Sequence, residues 1–110
     1  MTTVTVYKAN TGKIKGFKVS GHTGFGEQGS DILCAGISTL VGACHLGLSK
    51  VLGLDPSFKI DEDKGYFELN LSKSQLENVC AQVLLKTFKD AAEELALNNK
   101  KFINLEIKGD

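Results

Sequence analysis

The sequence predicts an α+β fold in the order ββαββαβ, a mostly antiparallel sheet with two long helices. Three observations predict it. Two alternating segments at the start of the chain flank a turn, two more flank the acidic stretch DEDKG, and two long segments carry apolar residues at helical spacing. With 110 residues the chain forms one domain, 1–110, long enough for one hydrophobic core.

TVTVYK (3–8) alternates and predicts a strand, with Val4 and Val6 on one face. ANTG turns the chain, and KIKGFKVSG (13–21) returns it. The alternation changes phase between Ile14 and Phe17, so Gly16 is expected beside a bulge. After a loop at 22–30, a helix is expected from Asp31 to Leu52. Its apolar stripe is Leu33, Ile37, Leu40, Val41, Cys44, Leu48, Val51 and Leu52. Gly36, Gly42 and Gly47 each cost about 1 kcal/mol against alanine there, which points to a closely approaching backbone. SFKI and YFELNL read as a hairpin around DEDKG. SQLE (74–77) is a capping box for a second helix, 75–98, with Leu76, Val79, Cys80, Val83, Leu84, Phe88, Ala91, Ala92 and Leu95 on its buried stripe. KFINLEIK (101–108) supplies the last strand.

Thirteen basic and thirteen acidic residues cancel, which gives no bulk attraction to nucleic acid or anionic lipid, and no direct nucleic-acid partner is expected. The N-terminal alternation is unlike a signal peptide. No apolar stretch reads as the roughly 20 residues of a membrane span. The expectation is a cytoplasmic protein without membrane contact. Three cysteines without CxxC spacing indicate neither a disulfide framework nor a zinc site, and no cofactor or metal is called for.

The chemistry concentrates in GHTGFGEQGSDILCAGIS (21–38). A cysteine acts as a nucleophile through its thiolate, so useful ones sit at helix N-termini or beside a histidine. Cys44 and Cys80 fall on core stripes, where inert cysteines belong. Cys34 falls at the third or fourth position of the first helix, just off its stripe, where the helix dipole favours an anion. The alternative for it is a small apolar residue packed in the first turn. His45 lies eleven residues along the same helix, about 16 Å away at ~1.5 Å per residue, and reads as a surface or interface histidine. His22 closes the second strand, and a loop of about ten residues returning to the helix start can bring it within the ~2.6–3.2 Å of proton transfer.

Asp31 reads first as the N-cap, and second as a group orienting His22. Ser38 sits one turn below Cys34, able to bond within the site or back to a helix carbonyl. Gly24, Gly26 and Gly29 suit a lid, and Phe25 either touches substrate or anchors the loop. The glycine spacing matches no nucleotide-binding pattern.

The SGH followed by a glycine-bearing loop and DILCAGIS resembles the ribosomal-processing cysteine protease family, Prp, over the whole chain. The resemblance implies an enzyme that removes a short N-terminal extension from a bacterial large-subunit ribosomal protein, cutting after an aromatic residue and before a small one. It places the catalytic histidine and cysteine on His22 and Cys34, with Asp31 and Ser38 in support. It also implies a homodimer and a ribosomal protein precursor as substrate, cut either free or on the assembling ribosome. Thr23 stands where alanine is usual, and Gly36 and Ile37 where alanine and valine are common. In that chemistry Cys34 attacks the scissile carbonyl, His22 protonates the leaving amine, and amides near Leu33 to Ala35 are the available oxyanion donors. Two rivals are a non-catalytic ribosome-associated assembly factor and a thiol redox enzyme. The second needs a resolving cysteine, which the core positions of Cys44 and Cys80 argue against.

Overall fold

In the computed structural model, residues 1–27 and 29–109 are described. The elements follow in the expected order: β1 (Thr2–Lys8), β2 (Ile14–Ser20), α1 (Ile32–Leu46), β3 (Ser57–Asp61), β4 (Tyr66–Asn70), α2 (Val79–Asn98) and β5 (Ile103–Lys108). The strands form one sheet in spatial order β3-β4-β2-β1-β5. Every neighbouring pair is antiparallel except β1 with β5, which are parallel because β5 is the last strand and reaches the sheet's far edge through α2.

Register separates the two faces. Val4 pairs with Val19 and Val19 with Phe67, while Val6 pairs with Phe17 and Phe17 with Leu69. These rows are buried. The intervening row, Thr5–Lys18–Glu68–Lys59, is polar. A strand's side chains alternate between faces, so one face is apolar and the helices cover it. Phe88 of α2 stacks on Phe17 at 3.9 Å between ring centroids, and Leu33, Ile37, Val41 and Cys44 of α1 join the same core. The bulge lies beside Gly16: Tyr7 pairs with Gly16 but Lys8 with Ile14, leaving Lys15 as the extra residue.

Four expectations are corrected. The α-helical hydrogen bonding of α1 ends at Leu46 and passes into a π-helical turn, Gly47–Val51, so Val51 turns out to solvent. No backbone crowds the α1 glycines: Gly42 has open space, and at Gly47 the close neighbour is the Leu84 side chain. The run Ile32–Val51 is long and apolar enough to cross a membrane by length and hydropathy, contrary to the reading of its sequence. Its inward residues, including Leu48, are instead packed in the domain's core, and a core helix meets the same criterion.

The fourth correction concerns α2. SQLE forms turns, and the helix starts at Val79, capped by Asn78, whose side chain accepts from the Ala81 amide. The buried face is Ala81, Gln82, Leu85, Phe88, Ala92 and Ala96. Val79, Val83 and Cys80 are exposed. The face is set by Gln82, whose side chain bonds the Ile14 N–H and C=O at 2.8 and 2.9 Å across the bulge region. A fully paired buried amide costs little, and it turns the two valines outward.

Candidate active site

The candidate residues meet where β2 ends, α1 begins and the β3–β4 hairpin turns. Asp31 is the N-cap of α1, with extended backbone, and its Oδ1 accepts from the Leu33 and Cys34 amides at 2.9 and 3.1 Å. Its Oδ2 accepts from the Thr23 hydroxyl at 2.5 Å and the Gly26 amide at 3.0 Å. One carboxylate thus ties the loop after β2 to the helix start. Burial works against its charge, but the Thr23 hydroxyl and the amides of Gly26, Cys34 and Leu33 outweigh that and hold its pKa down at about 2. Among the described residues no hydrogen bond or ion pair joins Asp31 to His22. The Leu33 and Cys34 amides, expected as oxyanion donors, are taken by this cap, and the Ala35 amide donates to the Asp31 carbonyl.

His22 is set by two glycines. Gly21 has φ +92°, and a Cβ there would stand 2.7 Å from the Met1 carbonyl oxygen. Its own carbonyl accepts from the Thr2 hydroxyl at 2.8 Å. Gly65 ends the short 3-10 turn Glu62–Lys64 with φ +62°, and a Cβ there would meet the Gly21 carbonyl oxygen at 2.7 Å and His22 Nδ1 at 3.2 Å. The absence of both side chains lets the hairpin lie against the His22 ring. Its Nε2 is 2.8 Å from the Asp63 carbonyl oxygen. A carbonyl only accepts, so Nε2 carries the proton and Nδ1 is the basic nitrogen of the neutral ring.

Cys34 is the third residue of α1 and half-buried. Its Sγ lies 3.5 Å from the Thr23 amide nitrogen and 3.6 Å from the Thr23 hydroxyl. No hydrogen bond joins it directly to His22 among the described residues. Both residues line one cleft of about 490 Å³, together with Asp31, Ser38, Gly24, Gly26 and Gly29. The inner wall is apolar (Val19, Ile37, Phe67), and Glu62 and Asp63 stand at the hairpin side. Ser38 reaches the cleft, and among the described residues no hydrogen bond joins it to Cys34 or to a helix carbonyl.

Phe25 is not among the lining residues. Its ring is half exposed and meets Phe102 edge-on at 5.3 Å. Gln28, inside the expected lid, lies outside the described residues. His45 stacks on Phe58 at 4.0 Å, away from the cleft. Cys44 is buried, which pushes its pKa up to about 12. Cys80 is exposed and not on the core face, contrary to expectation, and it is not among the residues that line the cleft.

Sequence reasoning missed two partners. In the sequence Thr23 stands out only as a departure from the family pattern, and its β-branched hydroxyl next to His22 is the available signal. The Asp63 carbonyl belongs to the main chain and leaves no trace in residue identity.

Residues 1–104 match the family model described as cysteine protease Prp. The ribosomal processing cysteine protease Prp of Bacillus subtilis (strain 168) is 31% identical over 74 residues, 67% of this chain and 66% of that protein. The crystal structure of SMU.848 from Streptococcus mutans superposes with a TM-score of 0.89 at 29% identity, over 100% of this chain and 96% of that one. An essential ribosomal processing protease Prp from S. aureus, in complex with a covalently linked product peptide, gives a TM-score of 0.85 at 27% identity, over 98% and 100% of the two chains. With a cysteine at a capped helix start, a histidine in the same cleft and a match over nearly its whole length, the chain belongs to the cysteine protease Prp family.

Proposed function

We propose that this protein is an endopeptidase that removes a short N-terminal extension from a bacterial large-subunit ribosomal protein. The observation that carries the reading is the shared cleft: Cys34 Sγ and His22 line one groove at the N-terminus of α1, with room for a peptide. His22 Nδ1 takes the thiol proton and Sγ adds to the scissile carbonyl carbon. The imidazolium then protonates the leaving amine, and water hydrolyses the thioester in the same manner. The Asp63 carbonyl holds the proton on Nε2 and so keeps Nδ1 free to act. His22 and Cys34 come into hydrogen-bond contact on this path, as catalytic pairs commonly do only with substrate in place.

Asp31 supports the reaction by clamping the loop, and Ser38 by its place one turn below the nucleophile. Gly24, Gly26 and Gly29 form the cleft's loop wall and give way to an extended substrate. The reading includes a cytoplasmic enzyme working on a precursor, free or on the assembling ribosome. It also includes a homodimer, for which Val79 and Val83, one turn apart and exposed on α2, offer an apolar strip.

The test is incubation with the precursor ribosomal protein and mass analysis of the products. Cleavage at one aromatic–small junction, lost in Cys34→Ala and in His22→Ala, is expected. Binding of the precursor or ribosome without cleavage by any form would make the protein an assembly factor.

A further inference from the structure

We propose that Thr23 is a positioning residue for the nucleophile: its hydroxyl, fixed on Asp31, aims its own main-chain N–H at Cys34 Sγ. The inference rests on the protease reading, with Cys34 as nucleophile.

Thr23 is only 2% exposed although it belongs to a loop. A hydroxyl has one proton and two acceptor positions. The Asp31 carboxylate is ionised at neutral pH and only accepts, so the 2.5 Å contact commits the Thr23 proton to Oδ2. What Oγ1 has left is lone pairs. These face the Phe25 amide at 3.3 Å and Cys34 Sγ at 3.6 Å, where the thiol proton is accepted.

The Thr23 amide, 3.5 Å from Sγ, donates whatever the sulfur's protonation state, and that bond strengthens when the sulfur becomes an anion. Here the Thr23 hydroxyl donates to Oδ2, and three amides donate to the same carboxylate, so the cap of α1 holds the loop's course past the sulfur. Removing the hydroxyl frees the amide from its aim, and the loss of that donor disfavours the thiolate. That loss exceeds the release of the thiol-to-hydroxyl contact at 3.6 Å, because a bond donated to an anion is about twice as strong as a neutral one. The other charged or titratable groups around the cleft are His22 from the loop and Glu62 and Asp63 from the hairpin, and the substitution leaves them in place.

Thr23→Val keeps the branched shape and removes the hydroxyl, whereas Thr23→Ser keeps the hydroxyl. Each is compared with the parent in a Cys80→Ser background, well below its melting temperature. Two rates are read: iodoacetamide alkylation of Cys34 at pH 7, and kcat with KM on a precursor-derived peptide. Thr23→Val is expected to be alkylated and to turn over about tenfold more slowly, with KM within about twofold. Thr23→Ser is expected within about threefold of the parent. Alkylation of Thr23→Val at the parental rate, or a serine variant as slow as the valine, overturns the proposal. If the parent cleaves no peptide, the protease reading fails, and the alkylation rates still decide the role of Thr23.

Discussion

Both helices begin with a capping side chain and a cysteine in the first turn. Asn78 caps α2 two residues before Cys80, and Asp31 caps α1 three residues before Cys34. The helix dipole favours an anion at both places. Yet Cys80 lies open on the surface, while Cys34 sits half-buried in a cleft with an imidazole and a directed amide. A helix start supplies only a bias. The rest of the fold brings the other groups to Cys34: the end of β2 with His22 and Thr23, and the hairpin turn against the ring.

The sharpest way to break this contrast is to exchange the two sulfurs' fates. Cys34→Ala is expected to lower kcat/KM for the precursor by at least about 10³-fold, a loss on the scale of an essential nucleophile. Cys80→Ala is expected to leave it within about twofold.

The caps come next. Asn78→Ala removes one side-chain bond to the Ala81 amide and should cost about 1 kcal/mol in urea unfolding. Asp31→Ala removes an acceptor with four donors on it, and should cost about 3 kcal/mol and most of the activity, since the loop is released from the helix.

A smaller effect is the pH dependence of that clamp. Asp31 has a folded pKa near 2, below its usual value of 3.8. Its contribution to stability is therefore complete above about pH 4 and is lost as pH falls from there through 2. Asp31→Asn should flatten this part of the acid limb in unfolding measured from pH 5 to pH 2. An unchanged limb would mean that other carboxylates set it. Least of all, Cys44 should resist iodoacetamide in the native protein and react only on unfolding, since burial holds its pKa near 12.

Much of this was legible in the chain because the signals are local. Alternation gave the strands and hairpins, and the phase change by Gly16 gave the bulge. The spacing of His22, Asp31 and Cys34 around a loop gave the candidate site, with Asp31 as cap. The face of α2 was not legible, since Val79 and Val83 repeat at helical spacing as well as the true core residues do. What decides between the faces is Gln82, a polar residue whose burial depends on two main-chain groups of β2 sixty-eight residues away in sequence. The fate of Cys80 follows from that choice. The partner of His22 was hidden for another reason: a carbonyl at Asp63 is available to any residue, and only the left-handed turn at Gly65 puts it there.

The most direct test of the central claim is covalent trapping with a peptidyl chloromethyl ketone ending in phenylalanine, in which the attacking sulfur displaces chloride. Peptide mapping by mass spectrometry then locates the adduct in the wild type and in His22→Ala. The account predicts rapid labelling of Cys34 alone in the wild type, and much slower labelling in His22→Ala. Equal labelling of Cys80, or a Cys34 rate indifferent to His22, would contradict it.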